Sequence, residues 1–183
     1  MDMDLTPSQT IGPFFHLCLT RDRAEGRLAG PEAKGDRIRL ACRVLDGDGA
    51  PVGDAMIELW QADASGIYNH PEDPRRASHD PAFCGFGRLA TDEEGRCAFD
   101  TVKPGQISAL EAPHINVSVF ARGLLKRVAT RIYFSATGKD PILALVPENR
   151  RDTLLARRDS RNPALWSFDV HLSGDHETVF FDI

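Results

Sequence analysis

Apolar and polar residues alternate along much of this chain, and the stretch 113–122, PHINVSVFAR, shows the pattern best. Every second residue from Ile115 to Ala121 is apolar, so these side chains fall on one face of an extended chain. This periodicity predicts a strand with one buried face. The opposite face carries an imidazole, an amide and a guanidinium, contributed by His114, Asn116 and Arg122. Those groups either meet water at a sheet edge or line a pocket.

Similar alternation recurs in short segments that are separated by turn-forming runs such as DGDGAPVGD. The pattern predicts an all-β fold: a β-sandwich of short, mostly antiparallel strands with one or two short helices. The helical candidates are 140–146 and 148–159. Strands are predicted at the segments Arg37–Leu45, Ala55–Ala62, Phe86–Ala90, Cys97–Val102, Pro113–Arg122, Arg127–Phe134, Leu165–Leu172 and Thr178–Ile183.

The first 34 residues lack a clear period, because Gly12 and Pro13 interrupt the apolar run inside TPSQTIGPFFHLCL. We interpret residues 1–34 as an irregular arm whose apolar side chains pack against this domain or against a partner chain. No repeat, low-complexity segment or change of composition divides the rest of the sequence. A single domain spanning residues 1–183 is therefore predicted.

Composition argues against several classes of function. The 183 residues carry a formal net charge of −5 and no basic block, so no nucleic-acid partner is predicted. No run of about 18 apolar residues occurs, so no membrane association through a spanning helix is predicted. The acidic, polar amino terminus is not typical of a signal peptide, which favours a cytoplasmic location.

Residue types that carry catalysis occur without a recognised spacing. No two of the six histidines are two or four residues apart, and no G-x-S-x-G motif is present. The two tyrosines, Tyr68 and Tyr133, matter because tyrosinate is a ligand for ferric iron. Tyr133 lies in the strand-like run RIYF and is interpreted as a core aromatic residue. The pattern alone does not decide the role of Tyr68.

The segment 40–68, LACRVLDGDGAPVGDAMIELWQADASGIY, resembles the signature of the intradiol ring-cleavage dioxygenases. The likeness continues through FGRLATDEEGRCAFDTVKPG, PHINVSVFARG, TRIYF and the terminal TVFFDI, and so covers nearly the whole chain. One departure is Cys42, where the family usually has glycine. The resemblance implies a β-sandwich oxidoreductase of aromatic catabolism that uses non-haem Fe(III), held in the catalytic chain by two tyrosines and two histidines.

Carried over residue by residue, the resemblance implies that this chain lacks the iron. Tyr68 matches the first tyrosine and His114 the first histidine, whereas Asn116 replaces the second histidine. The second tyrosine is missing from 105–113, and Arg131 stands where a pocket glutamine is expected. One phenolate, one imidazole and a weakly donating amide do not hold hard ferric iron as the family does. We predict that Tyr68, His114 and Asn116 are vestigial ligand positions, and that this chain has no catalytic residue.

The family also includes hetero-oligomeric enzymes whose active site lies at the interface between homologous alpha and beta chains. Thr10, Gly12, Pro13 and Arg122 match the positions of an alpha chain that line the substrate pocket. The resemblance therefore implies a site-completing subunit whose partner beta subunit holds Fe(III). It further implies protocatechuate and O2 as substrates, with 3-carboxy-cis,cis-muconate as product. A guanidinium at Arg122 suits the carboxylate of such a substrate, because its planar fork makes paired hydrogen bonds.

Two other interpretations remain open at this stage. One is an autonomous iron dioxygenase that uses Tyr68 and His114 with a loop histidine such as His70 or His79. The other is a stand-alone β-sandwich that serves as a binding or interaction module. Without the resemblance, a surface salt bridge near a strand end would be the favoured interpretation of Arg122.

Overall fold

The computed structural model describes residues 5–20, 23–135 and 140–182, which form two four-stranded sheets. The strands are β1 (Arg37–Leu45), β2 (Met56–Trp60), β3 (Phe86–Ala90), β4 (Arg96–Val102), β5 (His114–Phe120), β6 (Val128–Tyr133), β7 (Arg157–Arg158) and β8 (Leu165–His171). The first sheet has the order β4-β1-β8-β7 and the second the order β3-β2-β5-β6. Neighbouring strands are antiparallel except for β1 and β8, which run parallel.

The core lies between the two sheets, where the apolar residues of each alternating strand meet. Leu40 and Phe99 from the first sheet, and Ile57 and Ile115 from the second, are each 0% exposed and belong to one buried cluster. Burying such side chains contributes roughly 1.5–3 kcal/mol each, so the period-two pattern decides which face turns inward. The polar face of β5 consequently points away from the core. The predicted β-sandwich is confirmed.

The helices contribute to the outer face of the second sheet, where Phe15 meets Phe120 and where Leu143 and Leu154 pack with Tyr133. The candidate at 140–146 is confirmed as α2 (Pro141–Leu145), which Asp140 caps by accepting the backbone N–H groups of Ile142 and Leu143. The candidate at 148–159 is wrong in type and length, because Glu148–Leu154 forms a 3-10 helix and the chain then enters β7. Apolar contacts on one short stripe do not sustain a full α-helix.

The two ends of the chain also differ from the prediction. The interval Thr178–Ile183 is not a strand over its described part. Phe181 makes one isolated bridge to Ala129, and Ile183 lies outside the described residues. The arm is not irregular throughout, since α1 (Pro13–Leu19) begins directly at Pro13. Proline is tolerated at the first helical position, where its missing N–H is not needed.

Within the part of the chain that the structure describes, no helix has both the length and the apolar character that crossing a bilayer requires.

Candidate functional site

The outer face of the second sheet carries the polar row that the sequence marked as a pocket. Trp60 lies directly opposite Asn116 on the neighbouring strand, and Asn116 lies directly opposite Arg131. One step along the same strands, His114 lies opposite Tyr133. Residues that lie directly opposite each other in an antiparallel pair share a face. All five side chains therefore line one end of this outer face.

Tyr68 reaches the row from the loop after β2 and is fixed at both ends. Its ring stacks on Trp60, with centroids 5.7 Å apart and ring planes at 15°, and its hydroxyl accepts a hydrogen bond from Asn116 Nδ2 at 3.2 Å. Its backbone N–H donates to Asp73 Oδ2 at 3.0 Å. Hydrogen bonds from the Arg75 side chain, and then from backbone N–H groups, lower the pKa of Asp73 to about 2. This carboxylate therefore stays ionised and continues to accept the hydrogen bond from the Tyr68 backbone.

The turn before this tyrosine depends on a glycine and a buried aspartate. Gly66 has a φ of +76°, and a Cβ at this position would collide with the backbone carbonyl of Gln106. Asp63 is 2% exposed, and its Oδ1 accepts the backbone N–H groups of Ser65 at 2.8 Å and Ile67 at 3.0 Å. The G-x-Y motif therefore aims the aromatic ring through backbone constraints that glycine alone satisfies.

Tyr68 is a protonated phenol in this setting. Burial raises the pKa of Tyr68 above its ordinary value, and the hydrogen bond from Asn116 opposes this rise only in part. At neutral pH the hydroxyl consequently remains a neutral acceptor for the Asn116 amide.

His114 is a buried, neutral imidazole. The side chain is 1% exposed, and Nδ1 lies 2.9 Å from the carbonyl oxygen of Ala112. Because a carbonyl only accepts, Nδ1 carries the proton and donates it. Burial lowers the pKa of His114 below its ordinary value. The predicted location of His114 on the strand face of β5 is therefore confirmed, in the form of a hydrogen-bonded histidine.

Arg131 and Tyr133 complete this end of the face without normal hydrogen bonds for two of their atoms. Arg131 Nη1 and the Tyr133 hydroxyl are buried, and among the described residues neither makes a hydrogen bond of normal geometry. Burial raises the pKa of Tyr133, and the adjacent Arg131 guanidinium opposes the rise. Tyr133 is 0% exposed and packs with Leu143 and Leu154. Its predicted role as a core aromatic residue is confirmed.

This donor set does not fit ferric iron. Among the described residues, no group of three or more His, Cys, Asp or Glu side chains is arranged to hold a metal ion. The position offers a single phenol at Tyr68, an imidazole at His114 and an amide at Asn116, with the Arg131 guanidinium in the same row. Hard ferric iron prefers anionic oxygen ligands, and a neighbouring cation repels it. That these are vestigial ligand positions stays a prediction.

The predicted pocket residues lie at the other end of the same outer face. Gly123 N donates to Thr10 Oγ1 at 2.8 Å, so the arm is tied to the residue that follows Arg122. The rings of Phe15 and Phe120 are 5.3 Å apart, which anchors α1 on β5. These two contacts enclose residues 11–14, so the structure brings the arm segment and Arg122 into one region. A Cβ at residue 12 would have no atom of the described residues within 4 Å. Contacts within this part of the chain therefore do not require glycine at this position.

Sequence reasoning missed Asp54, which pairs with Arg122 through Oδ2 and Nε. The salt bridge considered for Arg122 is thus present in the structure. The available signal was register: Met56 lies opposite Phe120, and continuing this antiparallel pairing by two residues sets position 54 opposite position 122. Asp54 lies in a turn before β2, so no alternation marks it.

His70 and His79, the loop histidines of the autonomous-enzyme interpretation, do not join a metal cluster. The His70 ring lies edge-on to Trp60 with centroids 6.3 Å apart, and its Nδ1 accepts the backbone N–H of Glu72 at 3.2 Å. His79 packs on Phe83 with centroids 6.1 Å apart. Both rings are therefore engaged by neighbours other than Tyr68 and His114.

The class of protein follows from three features described above: the β-sandwich, the G-x-Y turn and the polar outer face. The chain belongs to the intradiol dioxygenase family, and the family model described as Dioxygenase matches residues 11–174. Enzymes of this family are in general iron-dependent oxidoreductases. The structure resembles the dioxygenase domain of a dioxygenase–carbohydrate-binding protein fusion from Streptomyces sp. SirexAA-E, with a TM-score of 0.65. That match has 24% identity and covers 93% of this chain and 99% of the other, so it bears on the fold alone.

Curated relatives narrow the class further. The chain is 43% identical over 194 aligned residues to the protocatechuate 3,4-dioxygenase alpha chain of Burkholderia cepacia, covering 97% of each chain. It is 35% identical to the beta chain of that enzyme from the same organism, covering 93% of this chain and 77% of the beta chain. Similarity to both chains indicates that the two subunits share one fold.

Proposed function

We propose that this chain acts as the alpha subunit of a protocatechuate 3,4-dioxygenase. The 43% identity to such an alpha chain, over 97% of both chains, is the observation that carries the proposal. A homologous beta subunit holds Fe(III) and is the obligatory partner. This chain completes the substrate pocket as a single domain. The cytoplasmic location inferred from the amino-terminal sequence stays a prediction.

The contribution of this chain is to bind and orient the substrate carboxylate. The iron of the partner supplies the chemistry by which O2 cleaves the ring between the two hydroxyl-bearing carbons, giving 3-carboxy-cis,cis-muconate. The Arg122 guanidinium receives the ring carboxylate through charge-assisted hydrogen bonds. Thr10, Gly12 and Pro13 line the pocket next to it and keep water away from the carboxylate. Because the arm is tied to Gly123, these groups approach the substrate together.

Electrostatics supports this role for Arg122. Its side chain is 74% exposed in the isolated chain, so it is free to meet a ligand or a partner surface. An exposed ion pair contributes at most about 1 kcal/mol to stability, so stabilising the fold does not by itself account for a guanidinium at this position. Closure of the pocket by the partner chain would remove water from this charge and strengthen its attraction to a carboxylate.

The proposal is tested with Arg122→Ala in the assembled alpha–beta complex. Losing hydrogen bonds to a charged group costs roughly 1.5–3 kcal/mol, which corresponds to about a 10- to 150-fold loss of kcat/KM for protocatechuate. Catechol lacks the carboxylate, so the ratio of kcat/KM for protocatechuate to that for catechol should fall by the same factor. Arg39→Ala is the matched control, because Arg39 also makes an exposed pair with an aspartate, Asp100, on the other sheet.

Equal losses for protocatechuate and catechol would contradict the carboxylate role. Assembly is checked separately by co-expressing the chain with its homologous partner. We expect a stable hetero-oligomer that contains iron, and a purified single chain that is colourless because it lacks ferric tyrosinate. An iron-dependent visible band from this chain alone would instead support the autonomous dioxygenase. Failure to bind the iron-bearing homologue would support the stand-alone module.

A further inference from the structure

The ion pair between Asp54 and Arg122 follows from the strand register. Strands β2 and β5 pair with Met56 opposite Phe120, and the pairing continues past the strand ends to set Asp54 opposite Arg122. Asp54 Oδ2 accepts the Nε–H of the guanidinium. Among the described residues this is the only hydrogen-bond partner of the Arg122 side chain. The contact therefore uses the Nε–H of the guanidinium, and within the described ranges neither terminal nitrogen makes a hydrogen bond.

This pairing has little value for stability. The side chains of Arg122 and Asp54 are 74% and 36% exposed, and exposed ion pairs are screened by water. Its consequence is geometric, because an arginine side chain has many rotamers and a bond at Nε fixes the plane of the guanidinium. Each terminal nitrogen then keeps one N–H directed away from Asp54, and these two N–H groups match the two oxygens of a carboxylate.

The backbone beside the pair is fixed as well. Gly123 has a φ of +89° and donates its N–H to Thr10 Oγ1 at 2.8 Å. Arg122 is thus held on one side by a cross-strand carboxylate and on the other by the arm. Both constraints act on the residue to which the proposed function assigns the substrate carboxylate.

We propose that Asp54 is a positioning residue for substrate binding, which holds Arg122 Nε so that the terminal guanidinium nitrogens face the substrate carboxylate. This inference rests on the proposed function, since it needs Arg122 in the pocket. Asp54 acts through Arg122 and does not touch the substrate. Its own negative charge repels a carboxylate, so the proposal states that orientation outweighs repulsion.

The test compares Asp54→Ala, Asp54→Asn, Arg122→Ala and the double variant Asp54→Ala/Arg122→Ala in the iron-containing alpha–beta complex. For Asp54→Ala we expect the KM for protocatechuate to rise roughly 2- to 10-fold, the cost of ordering one rotamer-rich side chain, with kcat nearly constant. Asp54→Asn should recover most of this loss, because its amide oxygen still accepts the Nε–H. In the Arg122→Ala background, removing Asp54 should change nothing further.

Three outcomes overturn the role of Asp54. They are an unchanged or lowered KM for protocatechuate in Asp54→Ala, an equal change for catechol, and a loss that persists in the Arg122→Ala background. Asp100→Ala, which breaks the exposed pair on the other sheet, is the matched control. Assembly of each variant is judged by native mass and iron content. If Asp54→Ala does not assemble, Asp54→Ser replaces it, because a serine side chain is also too short to reach Arg122 Nε.

The experiment also separates this inference from the proposed function. If Arg122→Ala fails to distinguish protocatechuate from catechol, the proposed function of Arg122 is wrong. If Arg122→Ala distinguishes them and Asp54→Ala does not, only the positioning role of Asp54 is wrong.

Discussion

Replacing Tyr68 with phenylalanine separates a vestigial ligand position from a working one. The ring keeps its stack on Trp60, 5.7 Å between centroids, and only the hydroxyl is lost. If Tyr68 were an iron ligand of this chain, the complex would lose metal and activity. If it is vestigial, the variant loses one hydrogen bond, and the iron content of the complex stays that of the wild type.

The size of the stability change follows from the contact. Asn116 Nδ2 donates to the Tyr68 hydroxyl at 3.2 Å in a half-buried setting, and a neutral hydrogen bond of this kind contributes about 0.5–1.5 kcal/mol. Tyr68→Phe should therefore lower the free energy of unfolding by about 1 kcal/mol. Asn116→Ala removes the same bond from its other end, so a double-mutant cycle should give a coupling energy of about 1 kcal/mol.

The assay is denaturant unfolding of the chain, together with iron analysis of the complex. Tyr133→Phe is the comparison, because the Tyr133 hydroxyl makes no hydrogen bond of normal geometry among the described residues, so its removal should cost less stability than the loss of the Tyr68 hydroxyl. The reasoning is refuted if Tyr68→Phe depletes iron or visible absorbance, or if the double-mutant cycle shows no coupling.

Two further predictions concern His114 and Gly66. Burial lowers the pKa of His114, so its neutral form stabilises the fold above the unfolded-state pKa of about 6.5, and that stability should be lost as the pH falls below it. Unfolding measured against pH should therefore show a slope that His114→Gln removes; an unchanged slope would contradict it. Gly66→Ala should cost at least about 1–2 kcal/mol, because it combines positive φ with a collision at Gln106. Gly49→Ala, with a φ of +79° and open space, isolates the conformational part; equal losses for the two would refute the collision.

The sandwich was predictable because local sequence encodes which face of each strand is buried. The alternation in β1 predicted Arg37–Leu45, which are the observed bounds, and the alternation around β5 was wrong only by the residues at its two ends. Strand ends depend on where the partner strand ends, so Pro113 and Arg122 fall outside the ladder. Thr178–Ile183 is rich in β-branched and aromatic residues that favour a strand, yet over its described part it makes only one isolated bridge.

Those features of the candidate site that depend only on residue identity were predictable from the sequence. Asn116 in place of a histidine and the missing second tyrosine are properties of the sequence, and they already argue against iron. The rise in the pKa of Tyr68 was not predictable, because it depends on burial, which a hydrogen bond to a strand 48 residues away offsets only in part. The burial of the Tyr133 ring likewise follows from packing by Leu143 of α2 and Leu154 of the 3-10 helix.

The sequence by itself determined most of the strands, their inward faces and the ligand types that are present or missing, because these depend on side-chain chemistry and a local period. Tertiary structure alone decided which distant residues meet. It placed Asp54 beside Arg122 through strand register, and Thr10 beside Gly123 through the path of the arm. Such contacts join residues up to 113 positions apart, and they depend on how strands pair and turns close, which no local pattern records.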